Sequence, residues 1–237
     1  MPRTAYLPRP RPVGGCLVLL VSGTLLVCLP WLAYLLAKPV EEVYIDEQGR
    51  RARVVFEGQA AFYTMAIVGT ILGGGSLLAG VAMFCAWLAR VRDDLSQMAE
   101  GSELSQPGLT VGLLFVPLVG PVWMYLCLSR FASLAAELYR ERAARRSRVR
   151  QPGNPAAWLI PAAALGLLYL PVTGVLILMV REDPAFMPLA SLLWFGLPPV
   201  VCVLLAGAVG VVKRNLDLAI GHWRARQAAS TNAATAT

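Results

Sequence analysis

Charge is what this chain lacks over most of its length. Only 15% of its 237 residues are charged, against ~25% in soluble domains. Five stretches carry no charge at all: 15–37, 60–89, 108–129, 156–180 and 185–212. A helix needs ~20 apolar residues to cross ~30 Å of hydrocarbon, so each stretch is of spanning length. The missing charge also excludes chemistry. Proton relays and ion paths use ionisable side chains inside the spans, and general acid–base catalysis needs a titratable group at the reacting atom.

Histidine is nearly absent as well. His222 is the only one and lies outside the uncharged stretches, which removes clustered-histidine metal ligation. Five cysteines, Cys16, Cys28, Cys85, Cys127 and Cys202, all fall within apolar blocks, and none forms a C-x-x-C pair. They act as small hydrophobes, without metal-ligand spacing. No catalytic residue, metal or cofactor is expected, and an intramembrane enzyme is the weakest functional reading.

What is present is arginine, 19 of the 21 cationic residues, in a chain of net charge +7. The positive charge clusters beside the apolar blocks, where it reports orientation and contact with anionic lipid headgroups. Nucleic acid is not an expected partner, because no basic, aromatic-interleaved binding surface is evident. The arginine bias hints at a GC-rich bacterial genome, and hence a bacterial cytoplasmic membrane. Arg3, Arg9 and Arg11 precede an apolar run of 23 residues, too long for a cleaved h-region, so 15–37 is expected to be an uncleaved first span.

Between the first two blocks, residues 38–59 hold two β-favouring runs around Asp46-Glu47-Gln48-Gly49-Arg50. This segment is either a short β-hairpin or a plain loop on the outer side. The second block carries Ala66, Gly69, Gly73, Ser76 and Gly80 on one helical face. Such small-residue faces let helix backbones approach closely in lipid, within one subunit or between copies. Its helix is expected to continue beyond residue 89 to about Glu100. Ala206 and Gly210 form a second small-residue pair.

The prolines mark expected breaks: Pro117 and Pro121 in the third block, Pro171 in the fourth, and Pro198 and Pro199 in the fifth. An interior proline removes a backbone hydrogen bond and clashes with the preceding turn. The third block is therefore either a re-entrant pair of half-segments or a kinked span. After it, residues 130–150 form a basic helix with Phe131, Leu134, Ala135 and Leu138 on one face. Arg140, Arg142, Arg145, Arg146, Arg148 and Arg150 crowd its end. It is expected to lie along the headgroups with those arginines among lipid phosphates. Residues 1–226 are thus one membrane domain, and 227–237 a disordered tail.

The fold expected is an all-α integral membrane protein with four full spans and one proline-broken segment; the alternative is five spans. The six polar segments hold 3, 4, 2, 7, 1 and 4 cations in chain order. The four-span arrangement puts the first, third, fourth and sixth inside by the positive-inside rule, with both termini cytoplasmic.

Trp87, Arg90 and Leu95, then Pro107-Gly108, Phe115-Val116-Pro117 and the helix from Arg130, resemble a bacterial multi-span membrane domain family of unknown function. The resemblance covers about residues 80–145 and implies a bacterial envelope location. The leading functional expectation is a non-enzymatic subunit, scaffold or regulator acting through helix contacts with a protein partner or a second copy. The alternative is a transporter or channel component for a neutral solute, built on the helix breaks.

Overall fold

A computed structural model describes residues 13–37, 43–45, 51–53, 59–99, 106–116, 119–143 and 152–235. The elements in chain order are α1 (Gly14–Ala37), β1 (Val43–Ile45), β2 (Arg51–Arg53), α2 (Gln59–Met98), α3 (Pro107–Gly112), α4 (Val119–Ala143), α5 (Ala156–Glu182) and α6 (Met187–Thr235). Short 3-10 turns at Leu113–Phe115 and Pro184–Phe186 follow α3 and precede α6. The protein is an all-α multi-pass membrane protein, with five helices long and apolar enough to cross a bilayer. Between α1 and α2 the two β-runs pair antiparallel, Val43 opposite Arg53, Tyr44 opposite Ala52 and Ile45 opposite Arg51. Of the two readings of 38–59, the hairpin is the one formed.

Contacts between named residues set the register of the bundle. Down the α1–α2 seam, Leu26 meets Gly69, Gly23 meets Gly73 and Leu20 meets Gly80, so the two helices are antiparallel. α6 is also antiparallel to α1: Thr24 Oγ1 and Cys202 Sγ lie 3.3 Å apart, and the Trp31 and Phe195 rings stack at 6.4 Å. α5 returns against α6, with Trp158 packed on Gly207 and the Tyr169 hydroxyl donating to the Trp194 carbonyl at 3.3 Å. These four helices run the full depth of the bundle in alternating directions.

α4 does not share that depth. Its third residue, Pro121, meets Gly166 near the middle of α5, where an added Cβ would stand 3.2 Å from the proline ring. α3 doubles back on it: Trp123 Nε1 donates to the Thr110 carbonyl at 3.3 Å, and Gly120 abuts the Leu114 carbonyl. The nine helical residues Pro107–Phe115 rise only ~14 Å, half of the hydrocarbon thickness. The third apolar block thus turns back on itself at the level of the middle of α5.

Local chemistry explains the turn. Val116 takes extended backbone, φ −82° and ψ 118°, the conformation that a following proline favours because its Cδ crowds the helical region. Pro117 itself lies outside the described residues. Pro121 falls in the first turn of α4, where its missing N–H would have had no helical partner. It starts a helix rather than breaking one. Gly120 is required by closeness, since any Cβ there would overlap the Leu114 carbonyl.

Three expectations are corrected. α5 passes through Pro171, and α6 through Pro198 and Pro199, without interruption. One lost hydrogen bond is a local cost, and packed neighbours hold the remaining turns in place. The basic segment from residue 130 is not a separate helix along the headgroups. It is the second half of α4, and its apolar face is buried in protein. Finally, α6 continues as helix to Thr235, through most of the segment expected to be disordered.

Candidate functional site

The largest helix contact is the α1–α2 seam. Ala66, Gly69, Gly73 and Gly80 are buried on it and Ser76 is half-buried. A Cβ on Gly73 would stand 2.6 Å from the Gly23 carbonyl oxygen, and one on Gly80 2.9 Å from Leu20 Cγ. Gly74 and Gly75, on the other side of α2, meet nothing within 4 Å. The stripe therefore serves packing inside this chain. Gly23, its counterpart on α1, escaped the sequence reading because no small residue stands three or four positions from it, so it forms no periodic pattern.

The second small-residue pair is displaced from its expected place. Gly210 has nothing within 4 Å and is exposed, and Ala206 is half-buried at the edge of a cavity. The close contact belongs to Gly207, where a Cβ would stand 2.6 Å from the Trp158 ring. Spacing alone could not choose between adjacent residues that point in different directions around the helix. At the far end of the bundle Trp31, Tyr34, Tyr63 and Phe195 form an aromatic cluster with centroids 5.8–6.4 Å apart. Trp31 Nε1 there donates to Thr70 Oγ1 at 2.7 Å.

Beyond the uncharged stretches, α2, α4 and α6 continue together. Val91, Leu95 and Met98 of α2, Phe131, Leu134, Ala135 and Leu138 of α4, and Leu216, Ala219 and Ile220 of α6 form one buried cluster. Charged residues surround it: Arg90, Asp93, Glu137, Arg140 and Arg214 are exposed. This is a small three-helix module with an apolar interior and a charged surface. Val13 and Cys16, at the start of α1, join the same cluster, so α1 begins at the end of the bundle where α6 leaves it.

Polar side chains gather in this module. Asn215, buried on α6, accepts from the Gly153 N–H and donates to the Gly153 carbonyl, both at 2.9 Å. It fastens the residues before α5 to the module. Lys213 Nζ pairs with Asp217 Oδ2 at 2.6 Å, and the His222 ring meets Tyr139 edge-on at 4.9 Å. Asp94 is also buried here, 1% exposed. Asn215 was not singled out from the sequence, because a polar residue next to charged neighbours looks solvated until its helix is packed. Asn215→Ala strands both backbone groups of Gly153. It is expected to lower stability by ~1–3 kcal/mol, read as a shift in the unfolding midpoint of the detergent-solubilised protein.

Of the arginines expected among phosphates, Arg140 is exposed and Arg142 lies in the last turn of α4. Arg145, Arg146, Arg148 and Arg150 lie outside the described residues. Among the described residues no three His, Cys, Asp or Glu side chains come together as metal ligands.

The α3–α4 turn stands over an apolar, partly open cavity of about 230 Å³ lined by α1, α2, α4 and α6. A second, of about 150 Å³, lies between the turn, α5 and α6. Leu114, Met124 and Leu205 line both. The arrangement as a whole defines a multi-pass helical membrane protein with a helical hairpin that turns within the bundle and a helical module extending from one end. Comparison with protein-family models, curated proteins and solved structures gave no match.

Proposed function

We propose that this is a non-enzymatic subunit, scaffold or regulator of a bacterial cytoplasmic membrane, working through helix contacts with a protein partner or a second copy of itself. The observation that carries this reading is the three-helix module. It is the largest described structure outside the uncharged stretches, and it offers a folded, charged surface to a partner. The bundle interior beside it is lined by apolar and small side chains, with no charged side chain in any of the five uncharged stretches. Both termini are cytoplasmic in this reading. The segments on the module's side hold 3, 2, 7 and 4 cations, against 4 and 1 on the other. The arginines near the end of α4 then lie close to anionic headgroups of the inner leaflet.

A second reading, a component of a neutral-solute pathway, draws on α3 and α4. Half-helices that meet at mid-depth are how many transporters build a substrate site. Two measurements separate the readings. A photo-reactive amino acid at exposed Glu137 or Arg214 should give a discrete protein adduct in intact membranes. Liposomes containing the purified protein should shrink and swell in glycerol or urea gradients at the rate of protein-free vesicles. Faster solute entry, abolished by Gly120→Leu, would overturn the first reading in favour of the second.

A further inference from the structure

We propose that the cavity beneath the α3–α4 turn is a binding site for one acyl chain of a bilayer phospholipid, entering sideways from the membrane. The argument begins with depth. Leu20 and Cys202 line the cavity, and they pair with Gly80 and Thr24 inside the bundle, well within the uncharged stretches. Phe115 stands at its edge, 63% exposed, at a level where the surroundings are hydrocarbon.

Chemistry narrows the occupant. The most polar lining groups are the thiols of Cys85 and Cys202, and the rest of the wall is aliphatic or aromatic. At ~30 Å³ per molecule the space would take about seven waters, yet a buried water needs two to four polar partners. The wall cannot supply them, so water is a poor occupant. Left empty, the same walls would forgo van der Waals contacts. A hydrocarbon chain restores those contacts and is the species in greatest supply at this depth.

Shape favours a chain over a compact molecule. The cavity shares Leu114, Met124 and Leu205 with its smaller neighbour. The two therefore lie next to each other, the larger against α1 and α2 and the smaller reaching Gly166 on α5, along a line that a flexible chain can follow. The turn residues that form this wall are held by the Trp123–Thr110 hydrogen bond, which gives the re-entrant hairpin a role as one side of a lipid site.

The test reconstitutes the full chain in vesicles containing phosphatidylcholine with a diazirine midway along one acyl chain, irradiates them and maps adducts by mass spectrometry. Adducts are expected on Leu114, Met124 and Leu205, in addition to those on lipid-facing Leu72. Ala206→Phe, which projects into the cavity, should abolish the cavity adducts and leave those on Leu72 unchanged. Val21→Phe fills the space from α1 and serves if the first variant does not assemble. A parallel arm supplies the same diazirine on a free fatty acid. Absence of cavity adducts in the unmodified protein, their persistence in the filled variants, or cavity labelling by the free acid alone would each overturn the proposal.

Discussion

Gly73→Leu in α2 should separate α1 from α2 and destabilise the protein by roughly 3 kcal/mol, the upper part of the range for overpacking. The position leaves no room. An added Cβ would lie 2.6 Å from the Gly23 carbonyl oxygen and 2.9 Å from the Val27 nitrogen, both of them backbone atoms that no rotamer change can move aside. Association in lipid depends on this closeness. Lipid tails are as apolar as leucine, so helices gain little by merely hiding apolar surface and must gain it from close packing. Gly74→Leu is the control, because that side of α2 meets nothing within 4 Å and should accept the larger side chain almost without cost. Unfolding both variants by SDS titration from mixed micelles measures the difference. Equal midpoints would mean that the α1–α2 seam contributes nothing.

The second large effect lies outside the spans and has a different origin. Leu95 is fully buried in the three-helix module, among Phe131 and Leu138 of α4 and Leu216 of α6. Exposed Arg90, Asp93, Glu137, Arg140 and Arg214 suit this part of the chain to water, where burial is driven by the hydrophobic effect, which is weak between helices in lipid. Leu95→Ala is therefore expected to cost ~2–5 kcal/mol through lost transfer energy and a residual cavity. The loss should be local. Limited proteolysis at the Arg90 and Arg140 sites should accelerate strongly, while the spans stay assembled as judged by elution of the protein–micelle complex. Proteolysis at the unmodified rate would mean that the three helices do not support one another.

Much of the architecture was legible in the sequence because its causes are local. An uncharged run of spanning length needs no tertiary information, and neither does the avoidance of helix before Pro117 that leaves Val116 extended. Pro198 and Pro199 show where local reasoning overreaches. The penalty they impose is real, but its outcome depends on the neighbours that hold α6 straight. The apolar face of Phe131, Leu134 and Leu138 was equally visible, whereas its cover was not. Lipid and protein make the same demand on an amphipathic helix, and only the approach of Val91, Leu95 and Leu216 decides between them. The pairings of Gly23 with Gly73 and of Asn215 with Gly153 join residues far apart in the chain, and nothing in either local sequence announces its counterpart.

The central claim is that the third apolar block turns back at mid-depth, leaving four crossings and both ends of the bundle's chain on one side. Cysteine scanning in sealed, oriented vesicles tests it most directly. In a background where the five native cysteines are replaced, single cysteines at Gln106, Asn154 and Asp183, all exposed positions, are treated with a membrane-impermeant maleimide. With a re-entrant hairpin, Gln106→Cys and Asn154→Cys label from the same side and Asp183→Cys from the other. Labelling of Gln106→Cys and Asn154→Cys from opposite sides would make α4 a fifth crossing and contradict the account.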